Sequence, residues 1–396
     1  MANQIKIGSL EIDAFKVGSA DCKVYLGNTL LYPTTFQGKW LATYSDSHTE
    51  SAQCNSSSVI TINEVDLTDL ISVEVGNCVT SIGSMAFSGC TSLTSVVLPD
   101  SVTSFGYRSF YRCSGLTSCT IGSGVTSIGE YAFSYCSSLT SIDIPDSVTS
   151  IGDWAFTDCY SLTNINIPNG VTQIPNSFLN GCSGLTSINI PSGVTSIGGS
   201  AFSRCSRLTS IDIPNSVTSI GASAFQNCTS LTSVNIPSGV TSIGNSLFNT
   251  CNSLKRVNSN IDGVCNISDS ITSIGDSAFQ GCEYIKRVNS NIDGVCNISD
   301  NVTSIGGQSF NGCKGITSFT IGSGVTSIGN HAFSVYNGNL ASITINATTP
   351  PTIYQNTFYN IATNNCPIYV PAASVDAYKA ADVWSTYYAS RIQAIP

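Results

Sequence analysis

VTSIGSMAFSGCTSLTSVVLPDS, residues 79–101, returns with small changes ten more times. The copies open at Val102, Val125, Val148, Val171, Val194, Val217, Val240, Ile271, Val302 and Val325, at steps of 23 residues except for two steps of 31 that end at Ile271 and Val302. The shared pattern is V-T-S-I-G-x-x-A-F-x-x-C-x-x-L-T-S-I-x-I-P-x-S. A fixed period of this length marks a stack of like units. Upstream, LISVEVGNC (Leu70 to Cys78) matches the second half of a unit and reads as an incomplete first rung.

Each letter of the unit has a physical reading. In Leu139-Thr-Ser-Ile142-Asp-Ile144 the alternation puts Ile142 and Ile144 on one face of a strand and Ser141 and Asp143 on the other. Pro145 ends the strand because it has no N–H for a ladder. Val148 and Ile151 turn inward again, and Gly152 permits the bend after them. Ala155, Phe156 and Cys159 are expected to fill the core from a short helical or 3₁₀ turn. One unit cannot bury its own apolar face, but stacked units share one continuous core. Strands about 4.8 Å apart would give a parallel sheet on the order of 50 Å long, wound to the right.

The run I-G-x-x-A-F-x-x-C followed by L-T-S-I-x-I-P resembles the BspA-like branch of leucine-rich repeats over about two thirds of the chain. That resemblance implies a repeat solenoid with a parallel β-sheet on one side and turns with short helical segments on the other. It also implies a role in adhesion or recognition, with no particular ligand.

Composition agrees with a solenoid and narrows the function. Charged residues make up 10% of the 396 and Gly contributes 34, against a 41% hydrophobic share, which is too apolar for a disordered chain. A net charge of -9 argues against a sequence-independent grip on nucleic acid. The N-terminal residues do not read as a signal peptide, and no stretch approaches the ~20 apolar residues of a membrane span. The expected location is therefore extracellular, on a virion or a bacterial surface.

Of the 17 Cys, ten recur at one repeat position: Cys90, Cys113, Cys136, Cys159, Cys182, Cys205, Cys228, Cys251, Cys282 and Cys313. They are expected to form a ladder of reduced, buried thiols, because parallel side-chain vectors disfavour a bridge and a straight ladder offers no tetrahedral metal site. Cys265 and Cys296 replace a strand Ile and read the same way. The states of Cys22, Cys54, Cys78, Cys119 and Cys366 stay open.

Three regions are expected: a small β module over 1–56, the solenoid over 57–347 and a capping segment over 348–396. The module's KIGS and VYLGNTLLYP runs resemble N-terminal modules of phage tail-associated proteins of gut anaerobes, which implies attachment to other virion proteins; a cap for the first rung is the alternative. Residues 39–63 read as a polar connector or an imperfect first coil. At the other end, Pro367 to Pro371 reads as a strand and Ala372 to Ala381 as a helix, with Trp384, Tyr387 and Tyr388 covering the last rung.

No catalytic constellation is legible. His48 and His331 lie in distant regions with no partners for a triad or a metal site. The many Gly are repeat turns and cradle no phosphate. Asp143 and Asp212 stand three rungs apart, about 14 Å, too far for a paired-carboxylate mechanism. No catalytic, cofactor or metal residue is assigned.

Three surfaces are candidates for binding a bacterial surface glycan or protein. The strand face carries Ser118, Thr120, Ser141, Asp143, Asn164, Asn166, Ser187, Asn189, Ser210, Asp212, Ser233 and Asn235, a lattice of hydroxyls and amides that also suits plain solubility. Met85, Arg108, Tyr131 and Trp154 share one position in four successive rungs, near Tyr107, Tyr111, Tyr135 and Tyr160; the alternative is convex-side packing. KRVNSNIDGVCNISD occurs at 255–269 and 286–300, so two identical loops are expected to protrude side by side, placing Arg256 beside Arg287 and Lys255 beside Lys286. Like charges about 5 Å apart repel by roughly 1 kcal/mol in water, which an anionic ligand would relieve. The alternative is a tandem duplication without a selected role.

Overall fold

The computed structural model describes residues 40–47, 49–51, 59–60, 69–334, 340–358 and 366–396 with their side chains, and residues 5–7, 10–12, 25–26, 29–30 and 52 as backbone. Each repeat closes one turn of a three-sided coil. The L-T-S-I-x-I segments form a first sheet and the V-T-S-I segments a second, both parallel from rung to rung. In the first, Ser95–Val97 pairs with Ser118–Thr120, Ser opposite Ser and Val96 opposite Cys119. In the second, Ser104–Phe105 pairs with Ser127–Ile128, again Ser opposite Ser. Register is held because a slip of one residue would exchange the buried and exposed sets. Threonines beside the strands add a second ladder: the Thr117 hydroxyl donates to the Thr94 carbonyl and that of Thr163 to Thr140, at 2.9 and 3.1 Å.

The third side corrects one expectation. The Ala-Phe segments form neither α- nor 3₁₀-helix among the described residues; they are successive turns. The amides divide their labour. Ala86, Ser88 and Cys90 donate back three residues to Gly83, Met85 and Phe87, whereas Met85, Phe87 and Gly89 donate to Tyr107, Ser109 and Tyr111 of the next rung at 2.7–2.8 Å. Left-handed φ at Met85 (59°) and Gly89 (85°) turns alternate amides along the coil axis. A helix would keep all of them within its own turn. The same left-handed position is held by Arg108, Tyr131, Trp154, Ser177, Ser200, Ser223 and their later counterparts.

Inside, the rungs stack like on like. Phe87, Phe110, Phe133 and Phe156 lie parallel at 5.1–5.2 Å between ring centroids. The ten ladder cysteines are buried free thiols. From Cys113 onward each thiol donates to a main-chain carbonyl of the preceding rung: Cys113 Sγ to Phe87 at 3.0 Å, Cys136 to Phe110 at 3.3 Å, and Cys313 to Phe279 at 3.3 Å. Burial pushes the thiols of Cys228 and Cys313 up to about 12. Cys119, Cys265, Cys296 and Cys366 are also free and buried, whereas Cys78 is disulfide-bonded. Cys22, Cys54 and His48 lie outside the described residues.

Both ends are closed. Near the N-terminus, Ile5–Ile7 pairs antiparallel with Leu10–Ile12, and Tyr25–Leu26 with Thr29–Leu30. The stretch 39–63 is more than a connector: it holds strands Trp40–Tyr44, Thr49–Ala52 and Val59–Ile60. Trp40, Ala42 and Tyr44 are buried at alternate positions, and their strand runs antiparallel to Leu70–Val75 at the start of the first sheet. Val59–Ile60 pairs in parallel with Ser81–Ile82 and begins the second sheet. At the C-terminus, Ile368–Val370 extends the first sheet, and helices Val375–Ala380 and Asp382–Tyr387 cover the core. Three buried aromatics close the carbonyls of the last coil. Tyr378 OH donates to Ala347, Trp384 Nε1 to Pro351 and Tyr388 OH to Gln355, at 2.7–2.8 Å. Tyr387, by contrast, is exposed.

The two long repeats also differ from expectation. Their eight extra residues are only partly loop, because each contributes a further strand to the first sheet. Arg256–Val257 pairs with Val264–Cys265, which pairs with Arg287–Val288, which pairs with Val295–Ile298. The second sheet passes directly from Ser242–Ile243 to Ser273–Ile274 to Ser304–Ile305. On the turn side Phe248, Phe279 and Phe310 stay stacked at 5.6 and 5.5 Å. Four strand steps of about 4.8 Å, roughly 19 Å, therefore face two ring steps across the core. The first sheet must bow outward here.

Candidate functional site

The strand-face lattice is formed as the alternation requires. Ser141 stands opposite Asn164, Asn189 opposite Asp212, and Ser210 opposite Ser233. One row therefore runs Thr120, Asp143, Asn166, Asn189, Asp212, Asn235 and is exposed throughout; a second runs Ser118, Ser141, Asn164, Ser187, Ser210, Ser233 and is exposed up to the half-buried Ser233. Asn166 also has a structural task. Its Oδ1 accepts from the Ile144 amide at 2.7 Å and its Nδ2 donates to the Ile144 carbonyl at 2.6 Å. The amide thus extends the ladder past the strand end, where Ile144 would otherwise lose its partners.

On the turn side, rungs opening at Val102, Val125 and Val148 carry the aromatic cluster. Arg108 lies over Tyr107, Tyr111 and Tyr131 at 4.7–5.1 Å from the ring centroids. Tyr131 and Trp154 are parallel at 5.0 Å. Tyr111 meets Tyr135 edge to face at 5.5 Å, and Arg112 lies over both. Guanidinium and ring quadrupoles attract in this arrangement. Arg108 is thus a member of the stack, half-buried, with Nε making no hydrogen bond. Tyr107, Tyr135 and Tyr160 keep exposed surface. Partial burial, with the Asp158 charge next in strength, raises the phenol pKa of Tyr135 and Tyr160. Asp158 shares a repeat position with Tyr135, an alignment legible in the sequence but not exploited there.

In the long repeats Arg256 does not stand beside Arg287, because the strand Val264–Cys265 lies between them. The expected like-charge contact is absent for a further reason. Each arginine has its own carboxylate six residues on: Arg256 Nε lies 3.4 Å from Asp262 and Arg287 Nη1 3.1 Å from Asp293. Lys255 instead lies over the Tyr284 ring at 5.6 Å. No anionic ligand is needed to relieve repulsion. The D of NIDG carried that signal in the sequence and was missed. The loop tips Ile261 and Ile292 are exposed and border a shallow groove of about 470 Å³, lined also by Asn266, Arg287, Asn289 and Asn297.

Among the described residues no group of three His, Cys, Asp or Glu side chains is placed to hold a metal ion, and no helix is long and apolar enough to cross a membrane. His331 lies on the turn side, its Nδ1 3.1 Å from the Ser334 hydroxyl.

Comparison with known proteins agrees with the geometry. A family model described as "BspA type Leucine rich repeat region (6 copies)" matches residues 59–186, 172–291 and 289–380. Among solved structures, a leucine-rich repeat protein from Bacteroides ovatus is 25% identical over 77% of this chain and 85% of its own, with a TM-score of 0.48. A leucine rich cell surface protein from Faecalibacterium prausnitzii is 27% identical over 79% of this chain and 95% of its own, with a TM-score of 0.44. The pneumococcal vaccine antigen PcpA is 18% identical over 99% of this chain and 97% of its own, with a TM-score of 0.50. No curated protein matches this chain.

Proposed function

The chain belongs to the BspA-type leucine-rich repeat family, and on that premise we propose that it is a non-enzymatic recognition protein that adheres to a glycan or protein of a bacterial surface. One observation carries this reading: the two rows of hydroxyl, amide and carboxylate side chains that stand exposed in register along the first sheet. A flat array of donors and acceptors can meet an extended partner at many points, each weak alone. The cell-surface relative supports the same reading. The test is binding of labelled protein to intact gut-anaerobe cells, with and without periodate oxidation of surface sugars. Saturable retention supports the reading. Its loss after oxidation assigns a glycan, its survival a protein receptor, and no retention on any strain contradicts adhesion.

A second reading places the chain on a phage particle, as an adhesive tail-associated protein or a purely structural part. It is favoured by the KIGS and VYLGNTLLYP runs near the N-terminus. Incorporation of the chain into purified virions, and release of free solenoid when residues 1–56 are removed, would distinguish it from a bacterial surface adhesin.

A further inference from the structure

The aromatic stack on the turn side ends abruptly. Arg108, Tyr131 and Trp154 occupy one left-handed repeat position, and their planes follow one another at 5.1 and 5.0 Å. The rung spacing sets these distances, so a fifth member after Met85, Arg108, Tyr131 and Trp154 would lie about 5 Å beyond the indole. That place belongs to Ser177, whose side chain carries one heavy atom past Cβ and cannot cover an indole. Ser177 itself is 7% exposed. Its counterparts Ser200, Ser223, Ser246 and Ser277 are half-exposed. The difference fits an indole reaching over Ser177 from the preceding rung, with most of that ring face beyond the serine's reach. Trp154 is half-buried, whereas Trp40 and Trp384 are 5% and 2% exposed.

We propose that this vacant place in the stack is a glycan-binding site, in which one pyranose ring lies on the free face of Trp154. The chemistry suits a sugar. The C–H face of a pyranose is apolar and slightly positive, and the indole face is negative. The vacancy is one rung thick, which admits a single flat ring. Asp158, half-buried four residues on, and the exposed phenol of Tyr160 are the polar groups of the same repeat that we assign to the sugar hydroxyls. The charge of Asp158 acts on both Tyr135 and Tyr160, so the three polar groups are close together. At the same position the next four rungs carry only serines. This site goes beyond the first-sheet reading and lies on a different side of the coil.

The test uses the full chain and defined probes: affinity electrophoresis through gels containing mannan, xylan, dextran or soluble peptidoglycan strands. Retardation is expected in at least one gel, with a change in tryptophan emission on titrating that polysaccharide, because the other two tryptophans are buried. Trp154→Ser, which copies the following rungs, should weaken retardation about tenfold, and Trp154→Phe should keep most of it. Met85→Ser, at the other end of the stack, should change nothing. No retardation in any gel, or equal retardation of Trp154→Ser, overturns the assignment. Cell binding that depends on Trp154 while every polysaccharide fails identifies a protein partner and also overturns it. Cell binding indifferent to Trp154 leaves adhesion standing and removes only this site.

Discussion

The regular rungs from Val79 to Val240 and the two long rungs that follow use the same core differently. In the regular part every side of the coil advances once per repeat: one first-sheet strand, one second-sheet strand and one buried turn-side residue, a phenylalanine except in the rung opening at Val171, where Leu179 takes its place and Phe178 meets Phe156 edge to face. In the long rungs the first sheet advances twice while the other sides advance once. The core hardly notices. Val257, Cys265, Val288 and Cys296 are all fully buried, and the phenylalanine stack is unbroken. The lesson is that a rung's three sides are separable. The turn side and the second sheet hold the stack together, and the first sheet can gain strands and surface without disturbing them.

The largest expected effect tests that continuity. Phe133→Ala in the regular part and Phe279→Ala among the long rungs should each cost about 3–5 kcal/mol in denaturant unfolding, since both rings are fully buried between neighbours. A loss under half as large for Phe279 would mean that the stack is already loosened where the sheet bows.

Next comes alkali. Burial pushes the thiols of Cys228 and Cys313 up to about 12, well above the ordinary thiol range. Their folded-state pKa is raised, so the stability they lend is fully present below pH 9 and is lost as pH rises toward 12. Each thiolate that forms only in the unfolded chain steepens the fall by up to ~1.4 kcal/mol per pH unit. Thermal melts from pH 8 to 11 should show this fall. It should lessen in Cys228→Ala, from the regular part, and in Cys313→Ala, from the expanded part. A thiol reagent at pH 8 should leave the ladder unlabelled in the native protein.

A smaller effect is expected from deleting residues 258–265. The joined sequence, Leu254-Lys255-Arg256-Val257 followed by Asn266-Ile267, restores the L-T-S-I-x-I pattern. The variant should fold, with Tm shifted by no more than about 5 °C, and small-angle scattering should show a straighter particle. Unfolding of the variant would mean that the added strand is indispensable to the core. Smallest of all, Asp262→Asn and Asp293→Asn should each cost under about 1 kcal/mol, because both carboxylates are largely exposed.

Much of this was legible in the residues. The 23-residue period gave the solenoid, and the I-x-I alternation gave the two faces of the first sheet. The constant Cys position gave the buried ladder. What escaped the reading had physical causes. The turn side looked helical because Ala, Phe and Cys are spaced like a helix face, but left-handed backbone at residues such as Tyr131 and Trp154 sends alternate amides along the axis. The insert looked like a loop because Asn-Ser-Asn and Asp-Gly are turn formers. Its V-C pair nevertheless buries the cysteine fully in both copies, as Cys265 and Cys296, and a sheet edge accepts any strand that fits its ladder. The candidate site was legible only as rows of residue types. Which members are committed to structure, as Asn166 is to Ile144 and Arg108 to its three tyrosines, depends on distances that a repeat pattern does not contain.

The recognition reading is tested most directly by comparing intact protein with Asp143→Ala/Asn189→Ala/Asp212→Ala/Asn235→Ala in retention on whole cells. All four positions are exposed on the first sheet, so each substitution should change stability by no more than about 0.5 kcal/mol. The account predicts a variant that melts like the parent and loses most of its retention. A parent that no cell retains, or a variant retained equally, would contradict it.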